Sequence, residues 1–403
     1  MNGCEVIKGG VTAPKGFKAA AVQAGIKYPK PDMAMVVSDK PAVIAGTFTR
    51  NKIQGAHIKL CRERLISRKA QAIVVNSGCA NACVGPQGIH DAIKMAKIAG
   101  SSLHINEKLV FVCSTGTIGI PLPMDKIEKG IVEASKVLSV DGGDAAAKAI
   151  MTTDTVDKQY AVEVQINGTA VRVGGMAKGA GMIEPNMATM LSFITTDAAV
   201  EPKALQTCLS EAVAESFNRI SVDGDQSCND TVLLMANGFA GNKVLNLREP
   251  EWAIFCDAVN AVAKELAMRI VRDGEGATKF VTVTVSGAVS NTQAKMATRA
   301  IANSLLVKTS WFGCDPNWGR IIDAVGYSGA EVIEDQVDIS FDDLMAVKGG
   351  RKAVDVAIKD LEKIIAQKTF AIEVNLNLGK GKDVVYTCDC SEEYVKINAE
   401  YMT

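Results

Sequence analysis

Apolar residues run along this chain in short blocks separated by longer stretches in which they recur every three or four positions. The blocks AVIAGTF (42–48), 72–75, LVFVC (109–113), 190–196 and 232–236 predict strands buried on both faces. Residues 160–166 and 169–173 alternate apolar and polar and flank Asn167-Gly168, so they predict a hairpin closed by a type I′ turn. FVTVTV (280–285) also alternates and predicts the first strand of a further domain. Helical spacing predicts helices over 90–103, 124–138, 202–217, 250–271 and 291–303. The 202–217 stretch carries Leu205, Leu209, Val213 and Phe217 on one stripe. Strands over 337–341, 370–376 and 383–388, with a helix over 353–367, form a βαβ-like set. This alternation predicts an α/β (α+β) class.

Composition narrows the function. Lysine plus arginine (44) nearly balances aspartate plus glutamate (45), with no long like-charge run, so nucleic-acid binding has no electrostatic footprint. No apolar run has the length of a membrane span, and the opening MNGCEVIKGGVTAPKGF lacks a signal-peptide core. The 11 cysteines, an odd number mostly inside apolar segments, predict reduced thiols and a cytoplasmic setting. Cys79/Cys83 and Cys388/Cys390 lack the C-x2-C spacing of zinc sites, so no metal is expected. With only three scattered histidines, a histidine-assisted nucleophile has few options. A threonine that uses its own α-amine as base gains weight accordingly.

Residues 174–198, GGMAKGAGMIEPNMATMLSFITTDA, suit such a threonine. A glycine-rich half without periodicity leads to Ala188, Thr189 and a buried strand. Cleavage before Thr189 would make it an N-terminus, although threonine before a strand is equally what β-propensity provides. The loop NSGCANACVG (76–85) fits a tight turn or a wall of a ligand site. STGTIGIPLP (114–123) fits a turn or a set of backbone N–H groups facing an anion. VDGDQSCNDT (222–231) lacks the spacing of a calcium loop and reads as a turn network. In RDGEGATKF (272–280), Glu275 between two glycines reads as an exposed loop charge, and no P-loop pattern is present. The C-terminal tail carries Tyr394, Val395, Ile397 and Tyr401, so it should dock on the body.

These segments together resemble the ornithine acetyltransferase family of arginine biosynthesis, also called the glutamate N-acetyltransferase or bifunctional ArgJ family. The marks are KGF…AGIK (15–27), GTFTRN (46–51), NSGCANAC (76–83), CSTGTIG (113–119), IMTTDT (150–155), GGMAKGAGMIEPNMATML (174–191), VDGDQSCNDT, RDGEGATKF, CDPNWGRI (314–321) and YVKINAEYMT (394–403). The resemblance spans essentially the whole chain. It departs from the family pattern at Glu184, Cys79 and Val156-Asp157.

The resemblance implies self-cleavage between Ala188 and Thr189, giving chains 1–188 and 189–403 that stay together, with an α2β2 heterotetramer expected. Thr189 is the implied nucleophile, and Thr115 with Gly116 the implied oxyanion hole. The implied substrate-binding residues are Thr152, Lys178, Thr189, Glu275, Asn398 and Thr403. The implied reaction moves acetyl from N2-acetylornithine to glutamate through an acetyl-Thr189 ester. It needs no cofactor, and some family members also accept acetyl-CoA as co-substrate. The implied fold is a layered αββα sandwich over 1–200, with a subdomain over 201–279 and a smaller α/β domain over 280–403. A self-cleaving aminopeptidase or amidohydrolase of the same fold superfamily is the alternative, and a non-enzymatic binding protein a third reading.

Overall fold

The computed structural model describes residues 3–27, 29–184 and 190–400. They fall into two compact units, residues 3–218 with 225–270, and residues 219–224 with 271–400.

The first unit is built on a nine-stranded sheet. Its strands are β1 (Glu5–Ile7), β2 (Phe17–Val22), β3 (Met33–Phe48), β4 (Lys69–Cys79), β5 (Val110–Thr117), β6 (Lys158–Ile166), β7 (Thr169–Lys178), β8 (Leu191–Thr196) and β9 (Thr231–Ala236). The order is β1-β6-β7-β8-β9-β3-β4-β5, with β2 also on β3. Its helices are α1 (Ala56–Leu65), α2 (Pro86–Leu103), α3 (Met124–Lys136), α4 (Gly143–Ala149), α5 (Pro202–Glu215) and α6 (Trp252–Arg272), the last running to the unit's boundary.

One long strand lets this sheet make two layers. The predicted 42–48 strand is the second half of β3, whose register shifts between Val37 and Ala42. The first half pairs with β2 and β4, and the second pairs with β9. Phe17, Val36, Ile44, Ile73, Val75, Phe111, Met176, Phe193, Leu233 and Met235 from the two parts form one buried cluster. On the outer face of β2–β5, Met35, Val74 and Val112 pack with Met95, Ala96, Ile127 and Ile131 of α2 and α3. On the other outer face, Gly175 of β7 lies against Val262 and Leu266 of α6. The layering is therefore helix, sheet, sheet, helix, as the sequence implied. Residues 201–218 and 225–270, within the 201–279 segment expected as a subdomain, belong to this unit, and β9 lies between β8 and β3.

Three stretches expected as loops or turns are strands. Gly174–Lys178 belongs to β7, and its glycines serve close packing rather than mobility. A Cβ on Gly174 would lie 2.0 Å from the Gly10 carbonyl oxygen. Residues 76–79 and 114–117 likewise continue β4 and β5. The hairpin turn forms as the spacing predicts, with Asn167 and Gly168 both left-handed at φ 50° and 75°.

The second unit holds a six-stranded sheet, order β13-β12-β11-β14-β10-β15. The strands are β10 (Phe280–Ala288), β11 (Asp338–Phe341), β12 (Leu344–Lys348), β13 (Arg351–Lys352), β14 (Thr369–Asn375) and β15 (Gly381–Cys388). The helices are α7 (Asn291–Asn303), α8 (Leu305–Phe312), α9 (Trp318–Gly326), α10 (Ile358–Ile365) and α11 (Glu392–Glu400). The expected βαβ-like set over 337–388 does not form as such. β11 pairs antiparallel with β14, and the parallel partner of β14 is β10, which reaches it through α7–α10 rather than the single helix α10. Strands β12 and β13 and helices α8 and α9 were not predicted. The Ser304 side chain caps α8 at the Val307 N–H, and the Asn317 side chain caps α9 at the Arg320 N–H. The SWFG…DPNW segment is thus the end of one helix and the cap of the next.

Among the described residues no helix is long and apolar enough to cross a membrane.

Candidate active site

The ends of β4 and β5 lie side by side in parallel, Ser77 opposite Thr115 and Gly78 opposite Gly116. Gly116 has φ 126° and Gly78 φ 99°. A Cβ on Gly116 would stand 2.3 Å from the Gly78 carbonyl carbon, so only glycine fits this approach. Buried amides brace the pair. Ser114 Oγ donates to Asn76 Oδ1 (2.6 Å), and Asn76 Nδ2 donates to the Cys79 carbonyl (2.8 Å). Asn229 Nδ2 donates to the carbonyls of Ala80 (2.7 Å) and Ser114 (2.8 Å). Three of the segments singled out in the sequence, 76–83, 113–119 and 222–231, thus meet here.

A second constellation forms where α4 ends and β7 ends. Lys178 Nζ donates to Thr152 Oγ1 at 2.7 Å and stands 3.9 Å from Asp154 Oδ2. Lys158 Nζ lies 2.7 Å from Asp154 Oδ1. The Asp154 carboxylate also accepts from the N–H groups of Gly179 (2.6 Å) and Thr152 (3.0 Å). Asp154, Lys158 and Lys178 are all buried. Burial alone would raise the Asp154 pKa, but Lys178 and Lys158 outweigh it and hold the carboxyl well below its usual range. Among the described residues the Asp154 carboxylate lies between two buried ammonium groups, and Asp230 also acts on Lys178.

In the second unit, Glu275 Oε2 accepts from Asn398 Nδ2 at 2.8 Å. Glu275 is only 9% exposed, which corrects its reading as a solvated loop charge. The reason is the tail: Gly276 (φ 67°) packs against the Tyr394 N–H, and Ser391 Oγ donates to the Gly276 carbonyl (2.6 Å). Asp389 holds the same loop by accepting from the N–H groups of Thr278 (2.8 Å) and Lys279 (2.9 Å). The C-terminal helix α11 is held by these polar contacts rather than by its apolar residues: none of its residues is buried and Val395 is 63% exposed.

The structure places Thr115 and Gly116, neighbours in the chain, at the end of β5, and brings Thr152 to Lys178 and Glu275 to Asn398. Ala188, Thr189 and Thr403 lie outside the described residues. Sequence reasoning did not assign roles to Asp154, Lys158 or Asn229, whose importance depends on partners distant in the chain. Asp230 was also missed. It is buried beside the Met190 N–H, burial raises its pKa well above the usual range, and no described group bonds to its Oδ1. Among the described residues no cluster of three or more histidine, cysteine or acidic side chains could hold a metal.

The model of the ArgJ family matches residues 18–403. The chain belongs to the ArgJ family. An arginine biosynthesis bifunctional protein ArgJ from Geobacter sulfurreducens is 49% identical over 390 residues, covering 96% of this chain and 99% of its own. The protein of that name from Symbiobacterium thermophilum is 47% identical over 403 residues, covering 99% of this chain and all of its own. Among solved structures, a chain of ArgJ from Bacillus halodurans is 43% identical with a TM-score of 0.51. It covers 53% of this chain and 100% of itself. ArgJ membership agrees with the αββα layering and makes this chain an enzyme of an arginine-biosynthetic family.

Proposed function

We propose that this chain is a self-processing glutamate N-acetyltransferase that moves acetyl from N2-acetylornithine to glutamate. The observation that carries the reading is the pairing of residues far apart in sequence. Four residues expected to bind substrate form two bonded pairs, Thr152 with Lys178 and Glu275 with Asn398.

The chain first cuts itself between Ala188 and Thr189. Removing the first 188 of 403 residues leaves 53% of the chain, the share that the solved Bacillus halodurans chain covers in full. That agreement supports a split at this point. The freed α-amine of Thr189 then takes the proton of its own hydroxyl, and the oxygen adds to the acetyl carbonyl. Thr115 and the Gly116 N–H meet the charge on the carbonyl oxygen, a donor being worth roughly 3 kcal/mol. The C–N bond breaks, and the ornithine amine leaves with the proton held by the Thr189 amine. The amine of glutamate attacks the acetyl-threonine ester, and the hydroxyl of Thr189 is restored with a proton from that amine.

Charge supports the assignment of substrate ends. The Lys178 ammonium suits an α-carboxylate, and the Glu275 carboxylate suits an ammonium group. The nucleophile, base and oxyanion donors are protein groups, so no bound cofactor is invoked, and acetyl-CoA is an alternative acetyl donor to the same threonine. The two pieces remain associated as an α2β2 assembly in the cytoplasm. The cysteines among the described residues, all of them unbridged, fit that compartment.

Denaturing mass spectrometry of the purified protein should show two pieces divided before Thr189. N-acetylornithine with glutamate should yield N-acetylglutamate and ornithine together. An intact but active chain would sink the mechanism, and ornithine released regardless of glutamate would mark a hydrolase. Acetyl-CoA plus glutamate, without N-acetylornithine, tests the second donor.

A further inference from the structure

Lys27 ends the AGIK motif, and the mechanism above does not use it. Its ammonium donates to Ser77 Oγ at 2.8 Å and to the Met151 carbonyl at 2.5 Å, and lies 3.5 Å from the Ala149 carbonyl. Ser77 Oγ itself donates to the Ala149 carbonyl at 2.6 Å. Ser77 stands opposite Thr115 in the ladder, and Met151 immediately precedes Thr152. The stem of Lys27 also closes over the tight glycine pair. A Cβ on Gly78 would lie 3.1 Å from the Lys27 Cβ, and Gly78 is the residue that Gly116 abuts.

We propose that Lys27 is a positioning residue of the acetyl-transfer site, tying the carbonyls at the end of α4, and so Thr152, to the strand ends that carry Thr115 and Gly116. This rests on the acetyltransferase reading above.

The chain holds Lys27 in place through its backbone rather than through an ion pair. The buried Asp32 carboxylate accepts from the N–H groups of Ala24 (2.6 Å), Ile26 (2.6 Å) and Lys27 (2.9 Å). Its oxygens are thereby spent on the loop, and the Lys27 ammonium is left with carbonyl and hydroxyl acceptors. Removing that ammonium leaves the Met151 carbonyl without its donor and frees the segment leading to Thr152. A displacement of about 1 Å at such a point costs on the order of 100-fold in rate.

Charge gives the role a signature. Burial weakens the ammonium most. Asp32 opposes this, the like charges of Lys178 and Lys30 add to it, and Asp154 opposes it, with the pKa lowered to about 8. The ammonium is therefore present below about 8 and is lost as pH rises through that value. A clamp made by it loosens on the alkaline side.

The test compares wild type, Lys27→Arg and Lys27→Met as purified split enzymes, with kcat and KM for acetyl transfer measured across this range. Wild-type kcat should fall as pH rises past about 8. Lys27→Arg should move that fall to higher pH, because a guanidinium does not titrate there. Lys27→Met should lose 10-fold or more in kcat at neutral pH, a smaller effect than full misplacement, with KM changed less. Mass spectrometry of each variant reads self-cleavage separately. An alkaline fall left in place in Lys27→Arg, or wild-type kcat in Lys27→Met, would overturn the proposal. If Lys27→Met does not fold, the arginine profile alone decides. A wild type that transfers no acetyl would instead refute the function on which the proposal rests.

Discussion

Gly116 and Gly78 touch backbone to backbone across the parallel β4–β5 ladder, both in left-handed conformations that a side chain disfavours. Gly116→Ala therefore has two effects at once. A methyl group 2.3 Å from a carbonyl carbon must push the strands apart, and the Gly116 N–H moves with them. Acetyl transfer should fall on the order of 100-fold, the scale of losing an oxyanion donor. Thermal or denaturant unfolding should show roughly 1–3 kcal/mol of lost stability. Retention of full kcat would remove Gly116 from the oxyanion hole.

The Asp154 carboxylate lies between the ammonium groups of Lys158 and Lys178. Asp154→Asn removes the carboxylate charge 2.7 Å from the fully buried Lys158 ammonium, and the expected cost is about 3–5 kcal/mol. Because the folded-state pKa of Asp154 is depressed, its contribution is present above the unfolded value of about 4 and is lost only as pH falls below it. Denaturant titrations should thus find the wild-type and asparagine proteins separated at neutral pH and converging in acid.

His57 is fully buried, with Nε2 at 3.3 Å from the Asn229 carbonyl. Burial lowers its pKa to about 4, against a partial opposing effect of that carbonyl. The unfolded chain binds the proton below about 6.5 and the native one does not until about 4. Stability should therefore decline as pH falls between those values, by about 3 kcal/mol in all. His57→Gln should flatten this part of the profile, and an unchanged slope would assign the acid sensitivity to other groups.

Glu275→Gln keeps an oxygen that can accept from Asn398 but removes the negative charge. KM for N-acetylornithine should rise about 10-fold or more, while self-cleavage, read by mass, continues. A variant with unchanged KM would take the ammonium-binding role away from Glu275.

Much of this was legible in the sequence. The Asn167-Gly168 turn was readable because its chemistry is local: the residues either side alternate, and both turn positions accept positive φ. Thr115 and Gly116 were found through family resemblance, while their apparent turn proved to be strand, since β pairing with Ser77 and Gly78 is a tertiary fact. Glu275 misled because flanking glycines read as exposure, yet the C-terminal helix covers it. Helix α8, LLVKTSWF, escaped because it is apolar on nearly every side and shows no stripe. Asp154, Lys158 and Lys27 could not be grouped from sequence, because each depends on a partner supplied by another element.

The strand order has one last consequence for a chain cut between residues 188 and 189. Strands β8 and β9 would come from the later piece, yet they lie between β7 on one side and β3 on the other, both from the earlier piece. The later piece is held in the sheet like a middle plank, with a ladder of hydrogen bonds along each edge. Neither fragment could leave without tearing both seams, so parting the fragments and unfolding the sheet would be one event. Mixing isotopically heavy and light preparations should then never pair a heavy earlier piece with a light later piece within one sheet while the fold persists.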